Sequence, residues 1–162
     1  MRLSAITLPL LVASCAAPIV RSYAPDHAGV EATLDAFHEA ASRADGDAYF
    51  ALFTEDAVFL GTDATERWDV AAFQAYARPF FDAGRGWTYT ATERHVSFGA
   101  TGRTAWFDER LQNEKYGEVR GSGVLERRPD GHGGWRIAQY NLAFPVPNEL
   151  ATDLVERVRA LD

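Results

Sequence analysis

Val30, Leu34, Phe37, Ala41 and Ala44 recur at alternating spacings of four and three, the period of one apolar helix face, and the pattern stops near Gly46. A second, shorter helix is expected next, capped by Asp45 or Asp47, with Tyr49, Phe50, Leu52 and Phe53 as its apolar part. "AVFL", Ala57 to Leu60, reads as a short buried strand and "GTDATERW" as a polar loop. Asp69 to Phe81 gives a third helix with Val70, Phe73, Ala77 and Phe80 inward, and Pro79 should kink or end it. Beyond Gly84 and Gly86 the period becomes two. Trp87–Phe98, Arg103–Gln112, Glu118–Arg128 and Trp135–Phe144 then read as four long strands, the last two joined by a hairpin turn over Pro129–Gly134. Leu150, Leu154, Val158 and Leu161 mark a final helix. Helices first and a meander afterwards imply an α+β fold, with helices on one face of a curved antiparallel sheet.

Alternation along the strands also places the polar groups. On the last strand Trp135, Ile137, Gln139, Asn141 and Ala143 share one face, while Arg136, Ala138, Tyr140, Leu142 and Phe144 share the other. With Ile137 against the helices, Gln139 and Asn141 are expected to point inward. Glu109 shares parity with Ala105 and Phe107 and should point inward too. A buried carboxylate needs a partner or a proton, and Arg120 is the nearest candidate counter-ion. Gly121 and Gly123 beside it remove side-chain volume where a ligand or a neighbouring backbone could come close. Two readings of this set stand side by side. Either Glu109, Gln139 and Asn141 line a ligand pocket, or Glu109 and Arg120 brace the sheet while the two amides satisfy strand-end backbone. His95 alternates away from Val96 and Phe98 and reads as a surface or interface residue. The outward row Tyr140, Leu142 and Phe144, with Trp106, is large for a wet surface. A homodimer burying Tyr140 and Leu142 is expected, with cover by the C-terminal helix as the alternative.

Composition narrows the classes. A chain of 162 residues, 47% apolar and 24% charged, suits one domain. A net charge of −7 with no clustered basic face excludes nucleic acid as a partner. The start, "MRLSAITLPLLVASCAAP", has one basic residue, Arg2, then an apolar run from Leu3 to Ala13 too short to span a bilayer stably. Val12-Ala13-Ser14-Cys15 resembles a bacterial lipobox in which Cys15 is acylated; a simple signal cut near Ala16 and Ala17 is the other reading. Residues 1–17 are thus taken as a signal segment, 18–28 as a tether and 29–162 as the folded domain. This puts the protein in a bacterial cell envelope, anchored by lipid at Cys15 or else periplasmic or secreted, touching membrane only through the anchor. Cys15 is the one cysteine of the chain, so no intramolecular disulfide can form.

"LFTEDAVF" between helix and strand, "GGWRIAQYNLAF" as the last strand, Gly61-Thr62-Asp63 with Glu66-Arg67-Trp68, Ala105 to Glu109, and Tyr116-Gly117 with Arg120 to Gly123 together resemble the SnoaL-like branch of the NTF2-like superfamily, from about Val30 to Asn148. The resemblance implies a cone whose sheet wraps the first helix and leaves a pocket at its wide end. Trp68, Phe107, Glu109 and Tyr116 are then candidate lining residues together with Arg120, Gln139 and Asn141, and Asp63, Glu66 and Arg67 candidate rim residues. It implies no single activity, because its members include isomerases, dehydratases, hydrolases, cyclases and non-catalytic association domains. Ketosteroid isomerase relatives carry a general base after a D-A-x-x-x-D pattern, whereas here Asp56-Ala57-Val58-Phe59-Leu60 runs into Gly61. No HExxH, P-loop, dinucleotide-binding turn or GxSxG elbow occurs. His27, His38 and His132 lack companions at metal-ligand spacing. No cofactor or metal is expected. The leading expectation is a domain that binds a small, partly apolar molecule. Cofactor-free lyase, isomerase or hydrolase chemistry with Glu109 as general acid or base, and a non-catalytic association module, are the alternatives.

Overall fold

The computed structural model describes residues 22–128 and 134–161. Helix α1 (His27–Ser42) and the short α2 (Gly46–Phe50) lead into strand β1 (Phe53–Leu60). Strand β2 (Arg67–Asp69) and helix α3 (Val70–Asp82) follow, then β3 (Thr90–Phe98), β4 (Thr104–Asn113), β5 (Gly117–Arg127) and β6 (Trp135–Ala143). A 3₁₀ turn over Asn148–Leu150 opens α4 (Ala151–Arg159). The hairpin turn expected over Pro129–Gly134 lies almost wholly outside the described residues, as do Cys15 and His132.

Each early helix begins on an aspartate that accepts a backbone N–H, satisfying one donor the first turn leaves unpaired. Asp26 caps α1 through Gly29, Asp45 caps α2 through Ala48, and Asp69 caps α3 through Ala72. Asp26 also takes the Trp135 indole N–H at 3.1 Å, which fastens the start of α1 to β6. The α1 stripe is as the spacing requires: Val30, Leu34, Phe37 and Ala41 are all buried. Burial of such side chains stabilises the fold by roughly 1.5–3 kcal/mol for each large one. On α3 the inward residues are Phe73, Ala77 and Phe81, a spacing of four throughout, rather than the Phe80 expected from sequence. Pro79 lies in the last turn of α3, and Gly84 at φ 67° follows the helix end.

The sheet has six strands in the order β2-β1-β6-β5-β4-β3. The curved, mainly antiparallel sheet is as expected, with one parallel pair: β1 runs parallel to β6, matching Phe59 with Tyr140 and Leu60 with Asn141. The end of the expected polar loop is β2, which pairs Trp68 with Phe59. The inner face then carries two rows. One runs Trp68, Phe59, Tyr140, Gly123, Phe107, Val96, and the next runs Leu142, Gly121, Glu109, Arg94.

One inserted residue decides which side chains those are. On β6, Ile137 pairs with Leu125 and Gln139 with Val124, so Ala138 is an extra residue, a β-bulge. A one-residue slip exchanges the faces. Before the bulge Trp135 and Ile137 face the helices; after it Tyr140 does, at 1% exposure. Gln139 and Asn141, expected inward, therefore stand on the outer face opposite Val124 and Ser122. The outward row expected to be buried in a homodimer is corrected in the same way, because Tyr140 and Leu142 both face inward. Trp106 and Phe144 are exposed, and α4 buries none of its residues against the sheet.

Candidate functional site

Glu109 is the one charged side chain buried with the core among the described residues. Three elements supply its partners. From α1, His38 Nε2 lies 2.8 Å from Oε1. From β6, the Tyr140 hydroxyl donates to the same oxygen at 2.9 Å. From β3, Arg94 Nε donates to Oε2 at 2.8 Å, with Nη2 at 2.8 Å as a further ionic contact rather than a hydrogen bond. Arg94 also reaches Asp35 on α1 through Nη1 at 2.8 Å. The carboxylate thus ties helix to sheet at the centre of the inner face.

Burial opposes ionisation of Glu109, but the hydrogen bond and charge of His38, with those of Arg94, outweigh it and hold the carboxyl below its usual range. The same balance raises Arg94: desolvation opposes its charge, and Glu109 with Asp35 more than restores it. Burial, followed by the negative Glu109, pushes the Tyr140 phenol well above its ordinary value. It therefore remains a neutral donor.

An open cavity of about 300 Å³ lies beside this cluster. Its walls are Phe59, Trp68, Phe73, Tyr76, Trp87, Tyr89, Tyr116 and Leu142, with Gly61, Thr62 and Glu66 along one side. One wall is a run of nearly parallel rings. Phe59 stacks on Phe73 at 3.9 Å and 16°, Phe73 faces Trp68 at 13°, and Trp68 faces Tyr76 at 5.0 Å and 19°. A narrow slot of about 20 Å³ shares Phe59, Trp87, Tyr89 and Leu142 with the cavity and is also walled by His38 and Tyr140. His38 borders a second opening on the side of Asp35, Ser42 and Thr90. Glu109 itself lines none of these spaces; His38 and Tyr140 stand between it and them. A larger concavity of about 490 Å³, around Phe53, Glu126 and Arg136, shares no wall with this group. Arg127 and Arg136 there donate to backbone carbonyls and fasten loops.

The expected site residues divide between three places. Trp68, Tyr116 and Glu66 line the cavity. Glu109 and Phe107 are interior, Phe107 packing 5.7 Å from the Tyr140 ring. Arg120 is exposed on the outer face opposite Arg110, so it cannot be the counter-ion of Glu109; Arg94 is. Gln139 and Asn141 are outside because of the bulge. Asp63 accepts from the Thr65 N–H and hydroxyl and builds its own turn, while Arg67 is exposed on β2. Sequence reasoning missed His38, Arg94 and Tyr140. Arg94 shares parity with Val96 and Phe98, the alternation that set His95 outward, and His38 follows Leu34 by four on α1. Tyr140 was hidden by the bulge.

The chain belongs to the SnoaL-like domain family, which matches residues 30–147. Its fold is that of NTF2-like, or cystatin-like, proteins. Among solved structures it is similar to a putative dehydratase of the NTF2-like family from Streptomyces avermitilis, at 18% identity and a TM-score of 0.59 over 74% of this chain and 96% of that one. It is also similar to a ketosteroid isomerase-like protein from Erwinia carotovora atroseptica, at 21% identity and a TM-score of 0.54 over 74% and 96%. An uncharacterised protein with a cystatin-like fold from Caulobacter vibrioides matches at 14% identity and a TM-score of 0.63 over 80% and 96%. No curated protein matches the chain.

Proposed function

We propose that the protein binds a small, partly apolar molecule in the cavity walled by Phe59, Trp68, Tyr76, Trp87 and Tyr89. The observation that carries this reading is the open aromatic space itself. Pockets for small molecules are concave and mostly apolar, with a few polar groups to set orientation. Here the walls are rings, and Thr62 and Glu66 supply the polar side. Trp68 and Trp87 report occupancy directly, so a titration followed by tryptophan emission tests the reading. Trp68→Ala is expected to weaken binding at least tenfold while leaving the melting transition cooperative. Unchanged affinity in that variant would move the ligand elsewhere.

A second reading is supported by the contact between His38 and Glu109. An imidazole fixed by a buried carboxylate, on the wall of a slot that shares four wall residues with the cavity, is arranged to move a proton to or from a bound molecule. Glu109 would act through His38, as a positioning group rather than as the acid or base. This suits cofactor-free isomerase or lyase chemistry. His38→Gln should then abolish turnover of a substrate whose binding it leaves nearly intact.

We propose also that the chain is exported and attached to the envelope by lipid at Cys15, on the strength of Val12-Ala13-Ser14-Cys15. Cys15→Ser should leave the protein unprocessed or in the soluble fraction, and unchanged mass and fractionation would refute acylation.

A further inference from the structure

We infer that the cavity selects a cationic organic molecule, of the alkylammonium class, over its neutral counterpart. This rests on the reading that the cavity is a small-molecule site and adds the charge of its occupant. Of the residues lining it, Glu66 alone is charged, and no Lys or Arg is among them. An anionic ligand would meet no cationic side chain among the lining residues, whereas a cation meets both ring faces and a carboxylate.

Glu66 is a half-buried residue whose carboxylate is held in place by its own loop. Its Oε2 accepts the Asp63 N–H at 3.1 Å, and its backbone carbonyl accepts the Gly61 N–H at 2.9 Å. Gly61 leaves room for the side chain: a Cβ there would come 2.9 Å from Glu66 Cβ and 3.0 Å from Cδ. Glu66 makes no ion pair with any described residue, unlike Glu39, Glu93, Glu109 and Glu118. A fixed, unpaired carboxylate beside tryptophan and tyrosine faces is the arrangement that favours an ammonium, whose attraction to ring quadrupoles grows when water is displaced.

Beside the wall residue Tyr116 the protein has an ammonium of its own, held at the phenol hydroxyl rather than over the ring face. Lys115 Nζ lies 4.6 Å from the centroid of the Tyr116 ring and donates to the Tyr116 hydroxyl at 2.9 Å. Lys115 thereby occupies one wall residue and leaves Trp68, Tyr76, Trp87 and Tyr89 for a ligand. Its charge competes with a second cation nearby. The net charge of −7 favours encounter with cations at longer range.

Calorimetric titration of the full chain with three probes tests the inference: choline, its carbon isostere with tert-butyl in place of trimethylammonium, and indole. Choline should bind about tenfold more tightly than the isostere, in line with a desolvated cation–π contact and a nearby carboxylate. Glu66→Gln should reduce choline affinity several-fold and leave the isostere unchanged, and Lys115→Met should strengthen choline alone. An isostere that binds as well as choline, or a Glu66→Gln variant with unaltered choline affinity, overturns the inference. Indole binding without choline binding overturns it too, yet leaves the small-molecule reading standing. Failure of all three probes would remove both.

Discussion

Arg94 stands directly opposite Glu109 across the β3–β4 pair, and its guanidinium meets the carboxylate at 2.8 Å inside the cone. The register alone brings these charges together, and α1 closes over them with His38 and Asp35. Glu109, Arg94 and His38 are largely withdrawn from water, whereas Asp35 stays mostly exposed, so the Glu109–Arg94 pair depends on both of its members being present. Removing one member strands the other in a medium that solvates it poorly.

Glu109→Gln should therefore be costly even though it keeps the size of the side chain. It leaves Arg94 with Asp35 as its one remaining carboxylate. The amide has a single oxygen to offer either to Arg94 or to His38 and Tyr140, so its NH2 must face a donor on the other side. Breaking a buried ion pair by deleting one partner typically costs about 3–5 kcal/mol. Chemical denaturation of the variant should show a loss of that order. A loss below about 1 kcal/mol would mean that water replaces the carboxylate.

The pH dependence follows from the same group. Glu109 is held below its ordinary value of 4.5, so the unfolded chain takes up a proton at a higher pH than the folded one. Its contribution to stability is complete above about 4.5 and is lost as pH falls through the lower, folded-state value. Tyr140 works at the other end. Its phenol is raised well above 10.0, so the unfolded chain ionises first and stability falls as pH rises past 10. Melting temperature against pH should form a plateau bounded on both sides, and Glu109→Gln should flatten the acid limb. An acid limb of unchanged steepness would assign it to other carboxylates.

Much of this was legible in the sequence, and the failures have local causes. The helix faces followed from spacing, and Glu109 was placed inward because Ala105 and Phe107 share its parity. That logic also applied to Arg94, beside Val96 and Phe98. It broke down only on β6, where the extra Ala138 exchanges the faces and carries Gln139 and Asn141 outside while bringing Tyr140 in. A bulge of this kind has no mark in the local alternation of "WRIAQYNLAF". The parallel pairing of β1 with β6 was equally hidden, because its partners Phe59 and Tyr140 are far apart in sequence and no turn connects them. The cavity depends on that pairing, which brings Phe59 and Trp68 alongside β6. Its position was therefore the least legible part.

Helix α4 offers a contrast with α1. Leu150, Leu154 and Val158 are all exposed, and no residue of α4 is buried. Surface changes away from packed features usually alter stability by no more than about 0.5 kcal/mol. Truncation after Asn148 should leave the denaturation midpoint nearly unchanged. A large drop would show that α4 covers apolar surface in solution.

Gly121 carries the last prediction. It sits between Glu109 on β4 and Leu142 on β6, and a Cβ there would run into the Tyr140 hydroxyl and come within 2.9 Å of Glu109 Oε1. The missing side chain is what lets the phenol reach the carboxylate. Gly121→Ala should then cost about 1–3 kcal/mol by overpacking, since neither Tyr140 nor Glu109 can withdraw without giving up a buried hydrogen bond. Tyr140→Phe should cost about 1 kcal/mol by itself, the worth of one such bond. In the double variant the alanine methyl meets no hydroxyl, so the combined loss should fall short of the two single losses added together. Groups that share a partner are where additivity fails. Strict additivity in a double-mutant cycle would mean that the strain at Gly121 is relieved by backbone movement and does not pass through Tyr140.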